Sequence, residues 1–335
     1  MARATRAAAA RLRIHVENDP GTAAIYHVTP ALLGRRIRQM PGLSGRIRVS
    51  YGQDPARLDA ALAGTEVLLI GSFDATGLAE RAPRLRWIQS TNAGVEKLAP
   101  ALPASVMLTN ASGLHGPKGG EYAMTALLML NHRVPHFVTA QRARRWDQAF
   151  ATPIAGKTVL ILGVGALGSA TARLARRFGM RVLGVSRSGA ANRLVERMYG
   201  PKALKQALPQ ADFVVATLPL TGEPRGLIGR AELDLLPRHA GLVNLGRGAV
   251  IDHAALVAKL SAGELSGAVL DVFPEEPLPA ASPLWTTPNL IISPHCAVDD
   301  STAYAARALD IFLDNLQRYL AGRRLVNLVD KRLGY

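Results

Sequence analysis

From Thr158 the chain runs a nearly unbroken apolar segment, Thr158-Val159-Leu160-Ile161-Leu162, into a glycine-rich turn and then into residues 169–180, which have helical composition and spacing. A strand that is apolar at almost every position is buried on both faces, as in a parallel sheet covered by helices on both sides. A strand, a glycine turn and a helix in that order form one βα unit of a doubly wound α/β fold. The alternation continues at Arg181–Ser186, Phe213–Leu218, Gly241–Leu245, Gly267–Phe273 and Leu290–Ser293. Weaker β-like runs precede it at Leu12–Val16, Arg46–Tyr51, Glu66–Gly71, Leu85–Thr91 and Val106–Asn110. Between the two sets, Gly120 to about Val134 reads as a long helix carrying Ala123, Met124, Leu127, Leu128 and Leu130, of a length that often bridges domains. Pro135 is expected to end or kink it before more helical sequence up to Trp146. Ala305, Leu309, Phe312 and Leu316 give Ser301–Leu320 a helical period.

At 335 residues the chain is long enough for two packed domains. The expected fold is therefore α/β, with two doubly wound parallel-sheet domains and the active site in the cleft where they meet. One is a Rossmann-type cofactor domain over 113–297; the other, a flavodoxin-like substrate domain over 1–112 and 298–335. A composition of 48% hydrophobic and 19% charged residues is globular, and no apolar run approaches the roughly 18 residues of a membrane span. Met1–Arg13 holds Arg3, Arg6, Arg11 and Arg13 around an alanine run and lacks a secretory hydrophobic region. It reads as a basic tail, with an organellar transit peptide as the other reading. The single Cys296 leaves no internal disulfide or cysteine-based zinc site, fits a reducing cytoplasm and is expected to be a small packing residue. The net charge of +15 raises nucleic acid as a partner, yet the positive charge is scattered and aromatics are only 5% of the chain. Without a dense basic stripe or interleaved stacking residues, specific nucleic-acid binding is not expected, and attraction of small anions is the milder reading.

The turn after Leu162 is Gly163-Val164-Gly165-Ala166-Leu167-Gly168. Gly163 allows a tight turn, Gly165 lets the backbone approach a pyrophosphate, and Gly168 lets the helix pack closely on the strand. The helix N-terminus then faces the anion, so the loop including Ala166 and Leu167 is expected to bind a dinucleotide. The following strand ends in Ser186-Arg187-Ser188 where an NAD site wants a carboxylate for the ribose 2'-hydroxyl. A guanidinium pairs with a 2'-phosphate and a serine donates to it, so NADP(H) is the preferred cofactor. NAD(H) held through backbone contacts, with Arg187 a solvated loop residue, is the alternative.

Three further motifs lie at or near the ends of later strands: Asn244-Leu245-Gly246-Arg247-Gly248, Leu270-Asp271-Val272-Phe273-Pro274-Glu275-Glu276-Pro277-Leu278 and Ile292-Ser293-Pro294-His295. With the glycine loop, this ordered set resembles the D-isomer-specific 2-hydroxyacid dehydrogenases from about Trp87 to His295 and, more loosely, over the whole chain. The resemblance implies an active site of Arg247, Glu276 and His295, with Glu275 the rival to Glu276. The chemistry is coherent on its own terms. Reduction of a 2-oxo acid puts negative charge on the carbonyl oxygen, which an imidazolium can protonate, and a neighbouring carboxylate favours that charged ring. An arginine can hold the substrate carboxylate and polarise the carbonyl.

Gln89-Ser90-Thr91-Asn92-Ala93-Gly94-Val95-Glu96 resembles the family's substrate loop, which implies carboxylate binding by the backbone at Ala93, Gly94 and Val95. Ser72 and Phe73 would line the pocket for the substrate side chain. The sequence departs from the family at Gly119-Gly120, which is read as loosening an interdomain hinge, and at Cys296-Ala297-Val298, which alters pocket shape. His115 has no partner ligands spaced near it, so no metal is expected. The resulting expectation is an NADPH-dependent reductase of glyoxylate, hydroxypyruvate or a similar small 2-oxo acid, giving the D-2-hydroxy acid. It is expected to be cytoplasmic, without membrane association, and by resemblance a homodimer through its cofactor domains. The alternative is a non-enzymatic, dinucleotide-sensing corepressor-like protein.

Overall fold

The computed structural model describes residues 11–219 and 225–334, so the basic tail lies outside the described residues as far as residue 10. In chain order the elements are β1 (Leu12–Glu17), α1 (Pro30–Arg38), β2 (Ile47–Gly52), α2 (Leu58–Leu62), β3 (Val67–Ile70), α3 (Leu78–Arg81), β4 (Trp87–Ser90) and β5 (Met107–Thr109). There follow α4 (Gly116–Asn131), α5 (Val134–Arg142), β6 (Thr158–Leu162), α6 (Ala166–Arg177), β7 (Arg181–Val185), β8 (Arg197–Tyr199), α7 (Leu204–Ala207) and β9 (Phe213–Ala216). The chain ends with α8 (Arg230–Leu233), β10 (Gly241–Asn244), α9 (His253–Ser261), β11 (Gly267–Leu270), β12 (Leu290–Ile292) and α10 (Tyr304–Leu320). These elements form two units, one holding the described chain up to Leu114 and from Asp300 on, the other His115–Asp299.

The first unit is a five-stranded parallel sheet in the order β2-β1-β3-β4-β5, the flavodoxin-like order. Alternation along its strands feeds two cores. Val67 and Leu69 of β3 join Trp87 on one face, while Leu68 and Ile70 join Ile88 on the other. Helix α10 returns to the first of these faces because Leu309, Phe312, Leu313 and Leu316 make one apolar stripe. The Phe312 ring stacks on Trp87 at 5.4 Å, and the Trp87 indole donates to Thr109 Oγ1 at 2.8 Å. Fully burying a side chain like Phe312 contributes about 1.5–3 kcal/mol, which ties this distant segment to the sheet.

The second unit is a seven-stranded parallel sheet in the order β12-β11-β10-β9-β6-β7-β8. The winding reverses at β6, so the carboxyl ends of β6 and β9 flank the point where such sheets take ligands. In β6, Leu160 and Leu162 enter one core and Val159 and Ile161 the other, the two-faced burial its sequence requires. The edge strand β8 is the one strand here that the apolar pattern does not announce, since Arg-Met-Tyr is short and begins with a charge. Such strands suit a sheet edge.

Two expectations are corrected in the helices. Pro135 neither ends nor kinks a long helix: α4 already stops at Asn131, Arg133 takes a left-handed φ of 60°, and Pro135 sits in the first turn of α5. A proline there loses no helical hydrogen bond. Helix α5 then ends at Arg142, and residues 145–153 are irregular instead of helical up to Trp146. The Gly119-Gly120 pair lets α4 pack closely on α6. A Cβ on Gly119 would stand 2.3 Å from Leu167 Cδ1, and one on Gly120 3.1 Å from Ala170 Cβ. Among the described residues no helix is long and apolar enough to cross a membrane.

Candidate active site

Strand β6 delivers Gly163 into a turn with φ +93°, a conformation side chains rarely adopt. Its N–H donates to the Val185 carbonyl at 2.8 Å and its own carbonyl accepts from Thr217 Oγ1 at 2.6 Å. A Cβ on Gly168 would stand 2.1 Å from the Gly163 carbonyl oxygen, so the first turn of α6 packs directly on the glycine turn. At Gly165 the same position meets nothing within 4 Å. Gly165 is the N-cap of α6, no side chain caps that end, and no acid lies in its first turn. The first N–H groups of the helix and its positive dipole end are thus available to an anion, and the loop fits a pyrophosphate.

At the end of β7, the Ser186 N–H donates to the Tyr199 carbonyl at 3.1 Å and Ser186 Oγ accepts from the Gly189 N–H at 3.2 Å. Ser188 Oγ likewise accepts from the Ala190 N–H at 3.2 Å. These bonds shape a turn that leaves Ser186 half-buried and Arg187 and Ser188 exposed, with no carboxylate among the three.

Arg247, Glu276 and His295 come from three loops of the second unit, after β10, β11 and β12. The buried Asn244 side chain braces the first loop, accepting from the Gly246 N–H at 3.1 Å and donating to the Arg247 carbonyl at 3.0 Å. Arg247 is half-buried, and its Nη1 donates to the Gly246 carbonyl at 2.8 Å. Gly248 seats this loop on the next one, since a Cβ there would stand 2.0 Å from the Phe273 carbonyl carbon. Backbone cannot step aside as a side-chain end can. Gly248→Ala is therefore expected to destabilise the protein by about 2–3 kcal/mol, read as a lower urea midpoint with an unchanged slope.

Phe273 carries the geometry onward. Its N–H donates to Glu276 Oε1 at 2.8 Å, and Glu276 Oε2 stands 2.6 Å from His295 Nδ1. Glu276, and not Glu275, is thus the carboxylate on the histidine, with both oxygens engaged. Nδ1 donates to that carboxylate, which leaves Nε2 as the ring atom able to pass a proton. His295 itself has a φ of 50°, an uncommon conformation for a residue with a side chain and one that gathers at functional sites.

The backbone just after His295 is held by a group to which the sequence motif alone assigns no role. Asp271 is fully buried, and its Oδ1 accepts from Ser293 Oγ at 2.7 Å and from the Cys296 and Ala297 N–H groups at 3.2 Å each. Its Oδ2 is buried with no hydrogen-bond partner among the described residues. Burial pushes this carboxyl above the usual carboxylate range, opposed by the Ser293 and Ala297 hydrogen bonds and the nearby His295. Tyr122 on α4 completes the set with its hydroxyl 3.1 Å from Ser293 Oγ, and burial pushes that phenol up as well. The available signal was a carboxylate ending the apolar run Gly267–Leu270, where an acid is retained only at a cost. Cys296 is corrected from a packing residue to an exposed one, because it lies past the end of β12. Its thiol is pushed up, first by partial desolvation and then by Asp271 and Asp299, which makes it a weak nucleophile.

In the first unit, the N–H groups of Ala93, Gly94 and Val95 follow β4 and donate to no group among the described residues. The loop is held from behind, by Asn110 Nδ2 on the Ala93 carbonyl at 2.9 Å and by the buried Val95 side chain. Ser72 is exposed, while Phe73 packs in part against the core. His115 stands 3.2 Å from Asp299. Among the described residues no group of three or more His, Cys, Asp or Glu could hold a metal ion.

Residues 124–297 match the family described as D-isomer specific 2-hydroxyacid dehydrogenase, NAD binding domain. A glyoxylate reductase of Aeropyrum pernix is 33% identical over 272 residues, 76% of this chain and 79% of that protein. Two solved structures are similar over nearly the whole length. One is a D-isomer specific 2-hydroxyacid dehydrogenase of Xanthobacter autotrophicus in complex with NADPH and MES, with a TM-score of 0.81, 31% identity, and 97% and 100% of the two chains covered. The other, an NADPH-dependent glyoxylate/hydroxypyruvate reductase of Sinorhizobium meliloti in complex with NADP and sulfate, has a TM-score of 0.80, 28% identity and the same coverage. With a fitted dinucleotide turn, an arginine and a histidine–glutamate pair at three neighbouring loops, and these likenesses, the chain belongs to the D-isomer specific 2-hydroxyacid dehydrogenase family and is an NAD(P)-dependent oxidoreductase.

Proposed function

We propose that this enzyme reduces a small 2-oxo acid, glyoxylate, hydroxypyruvate or a close analogue, to the D-2-hydroxy acid, with NADPH preferred to NADH. The observation that carries the proposal is the 2.6 Å contact of Glu276 Oε2 with His295 Nδ1, which leaves Nε2 to protonate a carbonyl oxygen. A bound dinucleotide supplies the hydride; everything else is the work of the chain. Gly163, Gly165, Ala166, Leu167 and Gly168 hold its pyrophosphate, and Ser186, Arg187 and Ser188 its 2'-phosphate. Arg247 binds the substrate carboxylate and polarises the carbonyl. In the first unit, the unused N–H groups of Ala93, Gly94 and Val95 are donors of the kind a carboxylate takes. Ser72 and Phe73 line the side-chain pocket. On this reading the second unit is the cofactor domain and the first the substrate domain. A panel of 2-oxo acids with NADPH and with NADH, followed at the nicotinamide absorbance, tests it. Reduction of none of them removes the reading.

Glu276→Gln provides a sharper check. Removing the carboxylate weakens the 2.6 Å contact that fixes the His295 ring, so kcat is expected to fall by about ten- to a hundredfold with dinucleotide affinity little changed. An unchanged kcat means that the pair is not what readies the acid. We also propose a homodimer formed through the second unit. Its support is the irregular segment after α5, where Trp146 and Phe150 are 95% and 89% exposed. Sedimentation at a single-chain mass argues against it. A reducing cytoplasm as the site of action rests on the one exposed, unpaired thiol of Cys296.

A further inference from the structure

We propose that Tyr122 is a positioning residue for the reaction: by way of Ser293 it holds the Asp271 carboxylate on the backbone of the loop that carries His295. The inference rests on the reading of His295 as the proton donor, but its geometry stands alone. Ser293 Oγ donates to Asp271 Oδ1 at 2.7 Å, so its own oxygen is left to accept, and Tyr122 O–H, 3.1 Å away, is the donor that reaches it. Asp271 Oδ1 then takes the N–H groups of Cys296 and Ala297, the two residues that follow His295. Among the described residues, His295 adds a bond from its N–H to the Ser293 carbonyl at 3.1 Å and the ring contact to Glu276. Its left-handed backbone must be held by its surroundings, and Asp271 supplies much of the hold.

The chain Tyr122–Ser293–Asp271 is cooperative. A hydroxyl that accepts a hydrogen bond becomes a better donor, and a buried carboxylate depends on its donors to remain charged. Burial already pushes Asp271 up, with the Ser293 hydrogen bond foremost among the influences that oppose it. Without the Tyr122 hydroxyl, Ser293 donates less strongly, the carboxylate is less well held, and its grip on the Cys296 and Ala297 amides loosens. The charged and titratable groups around this point in the second unit are Tyr122, Asp271, Glu276, His295, Cys296 and Asp299.

Tyr122→Phe keeps the ring and removes only the donor. In that variant and in Ser293→Ala, the Cys296 and Ala297 amides are expected to exchange with solvent about three- to tenfold faster, while amides of β10 and β11 keep their rates. This readout needs no substrate. In turnover, kcat should fall by a similar factor with KM for the dinucleotide unchanged, and Tyr122→Phe should add nothing in the Ser293→Ala background. Unchanged amide exchange in Tyr122→Phe, or additive effects of the two substitutions, overturns the proposal. If exchange quickens as expected while the parent enzyme reduces no 2-oxo acid, the positioning of the loop stands and the assignment of the reaction falls instead.

Discussion

His295→Asn is expected to lower the rate of 2-oxo acid reduction by roughly two to four powers of ten, the usual worth of a positioned proton donor. The substitution is well suited to the question. Asparagine tolerates the left-handed backbone that His295 adopts at φ 50°, so the loop is not forced to rearrange. Its amide can still meet Glu276, yet it cannot deliver a proton at neutral pH. Dinucleotide affinity, followed by nicotinamide fluorescence, should remain within a few-fold of the parent, because the glycine turn after β6 is built from residues 163–168 and their own partners. Turnover close to that of the parent would falsify the assignment of His295 as the acid.

The two-faced strands were legible because burial on both sides leaves a mark at every position. Thr158–Leu162 could be read to the residue, and each of its apolar positions after Thr158 enters one of two opposed cores. The edge strand Arg197–Tyr199 leaves no such mark, since half its surroundings are solvent. Pro135 was read correctly as a boundary and wrongly as an end: proline is as comfortable in the first turn of a helix as it is disruptive inside one. Gly119 and Gly120 show a related ambiguity, because missing side chains signal flexibility or close packing, and here the neighbours Leu167 and Ala170 show close packing.

At the site, local motifs showed which loops matter but not how their atoms meet. Glu275 and Glu276 are equivalent as letters; the Phe273 N–H, three residues back along a tight loop, selects Glu276. Asp271 stood in plain view inside a motif, but its partners come from distant segments, and Tyr122 lies 171 residues from Ser293. No spacing rule predicts a contact of that separation. Cys296 was misread for the converse reason: cysteine is usually buried, and its exposure here follows from its place after His295, outside the strand.

NADPH is expected to exceed NADH in catalytic efficiency by about ten- to a hundredfold, since a charge-assisted pair with phosphate contributes roughly 1.5–3 kcal/mol. The expectation rests on the turn after β7. Ser186 occupies the position of the carboxylate that would accept from a ribose 2'-hydroxyl, and the exposed Arg187 follows it. Arg187 is exposed, so salt screens part of its attraction and the preference is expected at the lower end of the range at physiological salt. The double substitution Ser186→Asp and Arg187→Ala adds an acceptor for the 2'-hydroxyl and a repulsion against the 2'-phosphate, and it should reverse the order of preference. It costs the Ser186 Oγ contact with the Gly189 N–H at 3.2 Å, which an aspartate oxygen can replace. Preference of the parent for NADH, or an unchanged ratio in the double variant, shows that the 2'-phosphate is not read by this turn and that Arg187 serves the surface alone.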